Sequence, residues 1–201
     1  MDCLFIAHSA KSSMNSRLVS YFHSGLAAHG FLTVKFNFPY AEGRWRLARK
    51  PDRTEVLVDC YERVVEETLR SEWKPKNLFV GGISMGAAVS SHVVADGPEI
   101  SGLKGLFFLS YPLHRPGDPD ILGDKHLHKI LQPMIFVAGT RDPNAEPKAL
   151  KSAVSRLGSR AQIHWVEGAD QRFNKRKGNA IYSKTLAEVV QTLSQWVRSN
   201  K

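Results

Sequence analysis

Short apolar runs alternate along this chain with longer stretches in which apolar residues recur at helical spacing. A continuous apolar run such as Cys3–Ala7 is typical of a strand buried on both faces of a parallel sheet. Strands are predicted, in chain order, over residues 3–7, 32–38, 77–80, 105–109, 134–138 and 162–166. Helices are predicted over residues 14–29, 54–69, 87–95, 147–157 and 183–197. This alternation predicts an α/β fold in which helices cover both faces of a mostly parallel six-stranded sheet, in a single domain over residues 1–201.

The composition is typical of a globular cytoplasmic protein. Of the 201 residues, 42% are apolar and 23% are charged, and a chain of this length can bury most of its unfolded surface in one core. No apolar run is long enough to span a bilayer. A signal peptide is not expected, because Asp2 replaces the usual basic segment and the run Cys3–Ala7 is short. Cys3 and Cys60 form no C-x-x-C motif, which favours free thiols in a reducing compartment.

The chain is basic, with a formal net charge of +9 and a pI near 9.7. Basic residues gather in two segments, 44–53 and 172–177, without a zinc-finger, helix-turn-helix or RNP pattern. We therefore expect a small molecule as the ligand and neither nucleic acid nor a membrane as a partner. A basic adaptor for nucleic acid or other anions stays open as an alternative, and it predicts binding that falls steeply with added salt.

The segment GGISMG, residues 81–86, contains a G-x-S-x-G motif centred on Ser84. An apolar strand is predicted before it and a helix of small residues after it, which is the context that a nucleophile elbow requires. In such a turn the glycines remove side chains that would clash. The N–H of Met85 would then face an oxyanion at a helix N-terminus. An idle serine in a glycine-rich turn is the alternative.

Asp142 is the candidate acid, because it follows the fifth predicted strand in the segment GTRDP, residues 139–143. Catalytic groups of open parallel sheets collect beyond the carboxyl ends of the strands. The order serine before aspartate is the one expected of α/β-hydrolases. A turn or capping aspartate before Pro143 is the alternative reading.

These motifs together resemble a small family of α/β-hydrolase-like proteins. It includes bacterial hydrolases, some of them dienelactone-hydrolase-like, and an animal branch of testis-expressed and NSL-complex-subunit-like proteins. The resemblance covers nearly the whole chain through 5–8, 36–40 (FNFPY), 81–86, 110–114 (SYPLH), 139–143 and 163–167. It implies an α/β-hydrolase fold with Ser84 as the nucleophile and Asp142 as the acid.

The chain departs from this family at two places. The family histidine usually follows the last strand in a segment like G-x-D-H, and here Gln171 stands at that position. An amide cannot accept the serine proton at neutral pH. The loop after the first strand, which often reads HGAG, is His8-Ser9-Ala10-Lys11 here. Ser9 or Ala10 would supply the second oxyanion N–H without the glycines that make the geometry easy.

Other histidines are candidates for accessory roles. His114 follows the fourth strand and is expected near the pocket, and His8 begins the oxyanion loop and could orient it through a hydrogen bond. His164 is expected to be a half-buried strand residue. His126 and His128 have no carboxylate or cysteine at ligand spacing, so we expect no metal and no other cofactor.

Two hypotheses about function follow from these residues. One is an esterase-like serine hydrolase whose usual triad histidine is replaced by Gln171. The other is a non-catalytic protein of the same fold that binds a ligand or partner in the degenerate pocket. A lid is expected from the loop 40–53 or the segment 115–130.

Overall fold

The computed structural model describes residues 1–42, 50–118, 120, 122–175 and 179–201, the last of these without the side chains of 179–181. Five basic residues of the two basic segments lie outside the described residues: Arg44, Arg46, Arg49, Arg176 and Lys177. Both segments proposed as lids, 40–53 and 115–130, are described only in part. Within the described residues, every helix is too short or too polar to cross a membrane.

Six parallel strands form one sheet, which confirms the predicted fold class. The strands are β1 (Asp2–Ala7), β2 (Leu32–Phe36), β3 (Asn77–Ile83), β4 (Leu103–Leu109), β5 (Met134–Gly139) and β6 (Ala161–Val166). Their order in the sheet is β2-β1-β3-β4-β5-β6. The chain therefore moves outward from β1 to β2 and then returns to the other side of β1. The loops after β1 and β3 diverge at this switch point, where parallel sheets place their ligand crevices.

Within the described residues, five α-helices cover the sheet: α1 (Arg17–Ala28), α2 (Thr54–Arg70), α3 (Met85–Asp96), α4 (Pro147–Ser155) and α5 (Asn179–Ser199). Helices α1 and α5 pack on one face, and α2, α3 and α4 pack on the other. Alternate residues of β1 belong to the cores on opposite faces of the sheet. Leu4 and Ile6 lie in the core under α1 and α5, and Cys3 and Phe5 lie in the core under α2, α3 and α4. Burial on both faces explains why this strand is a continuous apolar run.

The element boundaries differ from the predicted ones by up to four residues. Strand β2 ends at Phe36, not at residue 38, and β3 continues to Ile83, three residues past its predicted end. Helix α1 begins at Arg17, not at residue 14, because Ser16 caps it by accepting a hydrogen bond from the Val19 amide at 3.4 Å. Gly30 ends the helix with a φ of +88°, in the left-handed region that glycine tolerates. Helix α5 starts at Asn179, ahead of the predicted residue 183.

Candidate active site

Ser84 occupies the turn that joins β3 to α3, and its backbone is unusual. Its φ of 52° and ψ of −113° lie in a region that L-residues rarely adopt. The Ser84 amide donates to the Leu109 carbonyl at 2.8 Å, and the Ser84 carbonyl accepts from Ala87 and Ala88 at 2.9 and 3.1 Å. These bonds fix the turn between the neighbouring strand and the first turn of α3. The Ser84 hydroxyl makes no capping hydrogen bond, so it is available to the space above the sheet.

The glycines on either side of Ser84 allow this turn to pack against β1. A Cβ on Gly82 would lie 2.6 Å from the carbonyl carbon of Gly86 and 2.8 Å from the Ala7 oxygen. A Cβ on Gly86 would lie 2.5 Å from the same Ala7 oxygen. Contacts this short are not tolerated, so the two glycines of the motif are required by close backbone approach.

A cleft of about 830 Å³ opens above Ser84. Its described lining comes from the loops after four strands and from α1 and α5: Ser9, Ala10, Lys11, Ser12, Ser16, Arg17, Leu18, Ile83, Ser84, Asn144, Gln171, Arg172, Asn174 and Tyr182. The structure thus places Ser84, Gln171, Ser9 and Ala10 around one space. Asp142 lies beside the cleft, through its contact with Asn144.

His8 anchors the loop that carries Ser9 and Ala10. Its Nδ1–H donates to the Ser9 carbonyl at 2.9 Å, and its Nε2 accepts from the Phe38 amide at 3.1 Å. The ring is fully buried, and this burial lowers the pKa of His8. The ring is therefore neutral, and it ties the loop after β1 to the chain that follows β2. The Met85 N–H, at the first position of α3, has no partner within the helix.

Asp142 is buried with one satisfied and one free oxygen. Its Oδ1 accepts from the Asn144 amide at 2.9 Å and from the Asn144 side chain at 3.3 Å. In the part of the chain that the structure describes, Oδ2 has no hydrogen-bond partner, although the residue is only 2% exposed. Burial raises the pKa of Asp142 above its ordinary value. The free oxygen can still accept one donor from the site.

Gln171 lies in a tight loop after β6. The loop is closed by Asp170, whose Oδ1 accepts from the amides of Arg172 and Asn174 at 2.8 and 3.0 Å. The half-buried Gln171 lines the cleft, but its side chain makes no hydrogen bond with Ser84 or Asp142. Gln171 therefore lies in the cleft but does not connect Ser84 to Asp142 through hydrogen bonds.

None of the eight histidines lines the cleft, and all eight lie within the described residues. His114 is 5% exposed and uses both ring nitrogens on backbone, donating from Nδ1 to the Arg115 carbonyl at 2.9 Å and accepting on Nε2 from the Glu146 amide at 3.0 Å. His164 contacts the Thr192 hydroxyl at 3.4 Å, beside α5. Within the described residues, neither His114 nor His164 forms a hydrogen bond with Ser84.

A separate serine–histidine contact lies away from the cleft. His126 Nε2 is 2.7 Å from the hydroxyl of Ser91, which also donates to the Ala88 carbonyl at 2.6 Å. Ser91 is fully buried inside α3, so no substrate can reach it. Among the described residues, no three side chains of His, Cys, Asp or Glu come together in a way that could hold a metal ion.

Sequence reasoning missed several side chains of the cleft wall, among them Arg17, Asn144 and Tyr182. Arg17 and Tyr182 are brought together only by the packing of α1 against α5, so no local motif marks them. Asn144 had a signal, since it follows Asp142 closely in the loop after β5.

A family model described as an alpha/beta hydrolase domain matches residues 1–198. Three solved structures have the same fold. Est1E from Butyrivibrio proteoclasticus with bound ferulic acid has a TM-score of 0.77 at 13% identity, over 99% of this chain and 88% of that chain. An alpha-beta serine hydrolase homologue from Coxiella burnetii has a TM-score of 0.70 at 20% identity, over 96% of this chain and 83% of that chain. Dienelactone hydrolase from Anabaena variabilis has a TM-score of 0.71 at 16% identity, over 99% of this chain and 86% of that chain.

Proposed function

Because this chain belongs to the alpha/beta hydrolase family, we propose that it is an esterase-like serine hydrolase whose usual triad histidine is replaced by Gln171. The observation that carries the proposal is the backbone of Ser84, which has a positive φ between β3 and α3 and a free hydroxyl at the cleft. Strain of this kind persists where the surrounding structure holds it, and it clusters at functional sites.

In the proposed reaction, Ser84 Oγ attacks the carbonyl carbon of an ester while hydroxide from the solvent takes up its proton. The carbonyl oxygen becomes an oxyanion, which accepts hydrogen bonds from the Met85 N–H and from an N–H of Ser9 or Ala10. The tetrahedral intermediate expels the alcohol, which takes up a proton, and leaves an acyl group on Ser84. Water then releases the acid and restores the hydroxyl. Asp142 is the acid that would orient a base.

The weak point of this site is the acceptor for the serine proton. Gln171 has an amide side chain, which does not take up a proton at neutral pH. Loss of the base from a serine triad lowers turnover by about 10⁶-fold and leaves the oxyanion and binding contributions. We therefore expect slow turnover of activated esters, with solvent hydroxide as the base and a rate that rises with pH.

One observation favours a second function, the binding of a ligand without turnover. No histidine lines the cleft, and His8 and His114 use their ring nitrogens on backbone groups. If the site has lost its base altogether, the same cleft would serve a ligand or partner. The two functions share the cleft and differ in whether Ser84 becomes acylated.

Acylation of Ser84 separates these functions. The protein is incubated with p-nitrophenyl acetate and with a fluorophosphonate probe, and the modified residue is identified by mass spectrometry. The hydrolase predicts slow release of p-nitrophenol and labelling of Ser84, both lost in Ser84→Ala. The exposed Ser155→Ala is the matched control and should change neither. Absence of any Ser84-dependent label or release would favour the binding function.

A further inference from the structure

Three cationic side chains line the cleft above Ser84: Lys11, Arg17 and Arg172. The described lining contains no Asp or Glu. All three cationic side chains are exposed to solvent, and within the part of the chain that the structure describes none of them lies within 4.0 Å of a carboxylate oxygen. The described side chains that line the cleft therefore carry an excess of positive charge.

Two of these cations lie on the wall formed by Tyr182. The Arg17 guanidinium carbon is 5.4 Å from the centroid of the Tyr182 ring, within the range of a cation–π contact. Arg172 lines the same cleft as Tyr182. Burial raises the pKa of Tyr182 and the charge of Asp170 adds to this, while the charges of Arg17 and Arg172 act to lower it. A planar anion in the cleft would meet guanidinium donors of the kind that bind carboxylates and phosphates in pairs.

Lys11 adds the third cation from the loop after β1. Its φ of 53° lies in the left-handed region, which a non-glycine residue rarely adopts. The first residues of α1, Arg17 and Leu18, also line the cleft, and a helix N-terminus carries a partial positive charge. The positive charge at the cleft therefore comes from the three side chains, with the N-terminus of α1 beside them.

Two carboxylates lie near the cleft without lining it, and the charge of Asp170 acts on Tyr182. Asp170 holds the backbone amides of Arg172 and Asn174 on its Oδ1, and it does not line the cleft. Asp142 is 2% exposed, and burial together with the nearby Asp170 raises its pKa. Each carboxylate accepts hydrogen bonds through its Oδ1 from residues of its own loop.

We propose that the cleft above Ser84 binds a small anionic ligand through a carboxylate or phosphate group held by Arg17, Arg172 and Lys11. The ligand is an acyl compound that carries this group at a distance from the ester. The assignment of the ester carbon to Ser84 rests on the proposed function, while the anion site stands on the charges alone. A volume of about 830 Å³ accommodates a small organic acid ester with its hydration.

Isothermal titration calorimetry tests the anion site without turnover. The full chain is titrated with sodium phosphate and with sodium succinate at neutral pH and constant ionic strength. The double variant Arg17→Gln/Arg172→Gln removes two cleft cations. The control Arg63→Gln/Arg70→Gln removes the same number of charges from the exposed side of α2. The stronger of the two anions identifies whether the group is a phosphate or a carboxylate.

We expect at least one anion to bind the native chain and to bind the cleft variant about tenfold more weakly or worse, with less than about a twofold change in the control. Failure of both anions to bind the native chain would overturn the inference, and so would equal weakening in the two double variants. The anion titration does not depend on ester hydrolysis, so the two proposals can fail separately. Anion binding without any Ser84-dependent turnover would refute the proposed hydrolase and keep the anion site. Ser84-dependent turnover without anion binding would refute the anion site and keep the proposed hydrolase.

Discussion

A methyl group on Gly86 would lie 2.5 Å from the carbonyl oxygen of Ala7, where the first turn of α3 crosses the end of β1. Helix and strand meet at this distance only because Gly86 has no side chain. The contact sets the position of Ser84 relative to the loop of Ser9 and Ala10, since that loop continues directly from β1. This contact therefore helps to position the candidate nucleophile against the candidate oxyanion loop.

We expect Gly86→Ala to destabilise the fold by about 2–4 kcal/mol, because the new methyl group must displace the backbone of β1 or α3. Urea unfolding measures the loss. Gly123→Ala is the control, because a Cβ there would have its nearest neighbour at 3.5 Å, an ordinary contact. Equal stability of the two alanine variants would show that the approach of α3 to β1 is not constrained in this way.

The variant Ser84→Gly should be more stable than the variant Ser84→Ala. At most positions glycine is less stable than alanine by about 0.5–1 kcal/mol, since the unfolded chain gains freedom. At φ 52° the sign should reverse, because glycine tolerates this backbone and alanine does not. We expect Ser84→Gly to exceed Ser84→Ala by about 1 kcal/mol in the free energy of unfolding, measured in urea. A Ser84→Ala variant as stable as Ser84→Gly would contradict a strained turn.

His114→Phe should destabilise the protein by about 1–3 kcal/mol, because the Glu146 amide loses its acceptor and the Arg115 carbonyl its donor. His128→Phe, at an exposed position, is the control. The interpretation of His114 as structural also predicts that ester turnover keeps its pH profile in the variant. Removal of an ionisation from that profile, with stability unchanged, would instead identify His114 as a base.

His126 should make stability depend on pH. Burial and the stacked His92 ring, whose centroid is 3.7 Å away, lower the pKa of His126 to about 4. The nearby carboxylates of Asp96 and Asp124 oppose this shift, and Lys129 adds to it. In the unfolded chain the group takes up its proton near pH 6.5. Between these two values the unfolded state binds more protons, so the free energy of unfolding falls as the pH falls.

The expected loss from this residue between pH 6.5 and about pH 4 is about 1–2 kcal/mol, after allowance for solvent screening at a partly exposed site. Urea unfolding at several pH values measures it. The variant His126→Asn should have a shallower slope than the native chain, and His128→Asn an unchanged one. The comparison is needed because burial also lowers the pKa of His8 and His164. Parallel curves for native and His126→Asn would disprove the assignment.

The sheet could be predicted from the sequence because its strands are marked locally. Runs such as Cys3–Ala7 are apolar throughout, since both faces of the sheet are covered, and Gly82 and Gly86 mark the turn around Ser84. The position of Gln171 after the last strand could likewise be predicted, since it follows from the order of strands along the chain.

The remaining parts of the site depend on contacts between residues that are far apart in the sequence. Arg17 meets Tyr182 only when α1 packs on α5, and His114 meets Glu146 only when the loops after β4 and β5 come together. The sequence identified His114 as a residue near the pocket. It could not show that both ring nitrogens are used on backbone, because that depends on the neighbouring loop.

The central claim is that the site is a serine hydrolase site lacking only its base, and restoring an imidazole tests it most directly. We would measure p-nitrophenyl acetate hydrolysis by the native chain, by Gln171→His, and by Gln171→His combined with Ser84→Ala. Gln195→His, which places an imidazole beside β6 and away from the cleft, is the control. A general base contributes about 10²–10⁴-fold, so Gln171→His should raise turnover at least about 100-fold, and Ser84→Ala should abolish the gain. An unchanged rate in Gln171→His, or a gain that persists without Ser84, would contradict the claim.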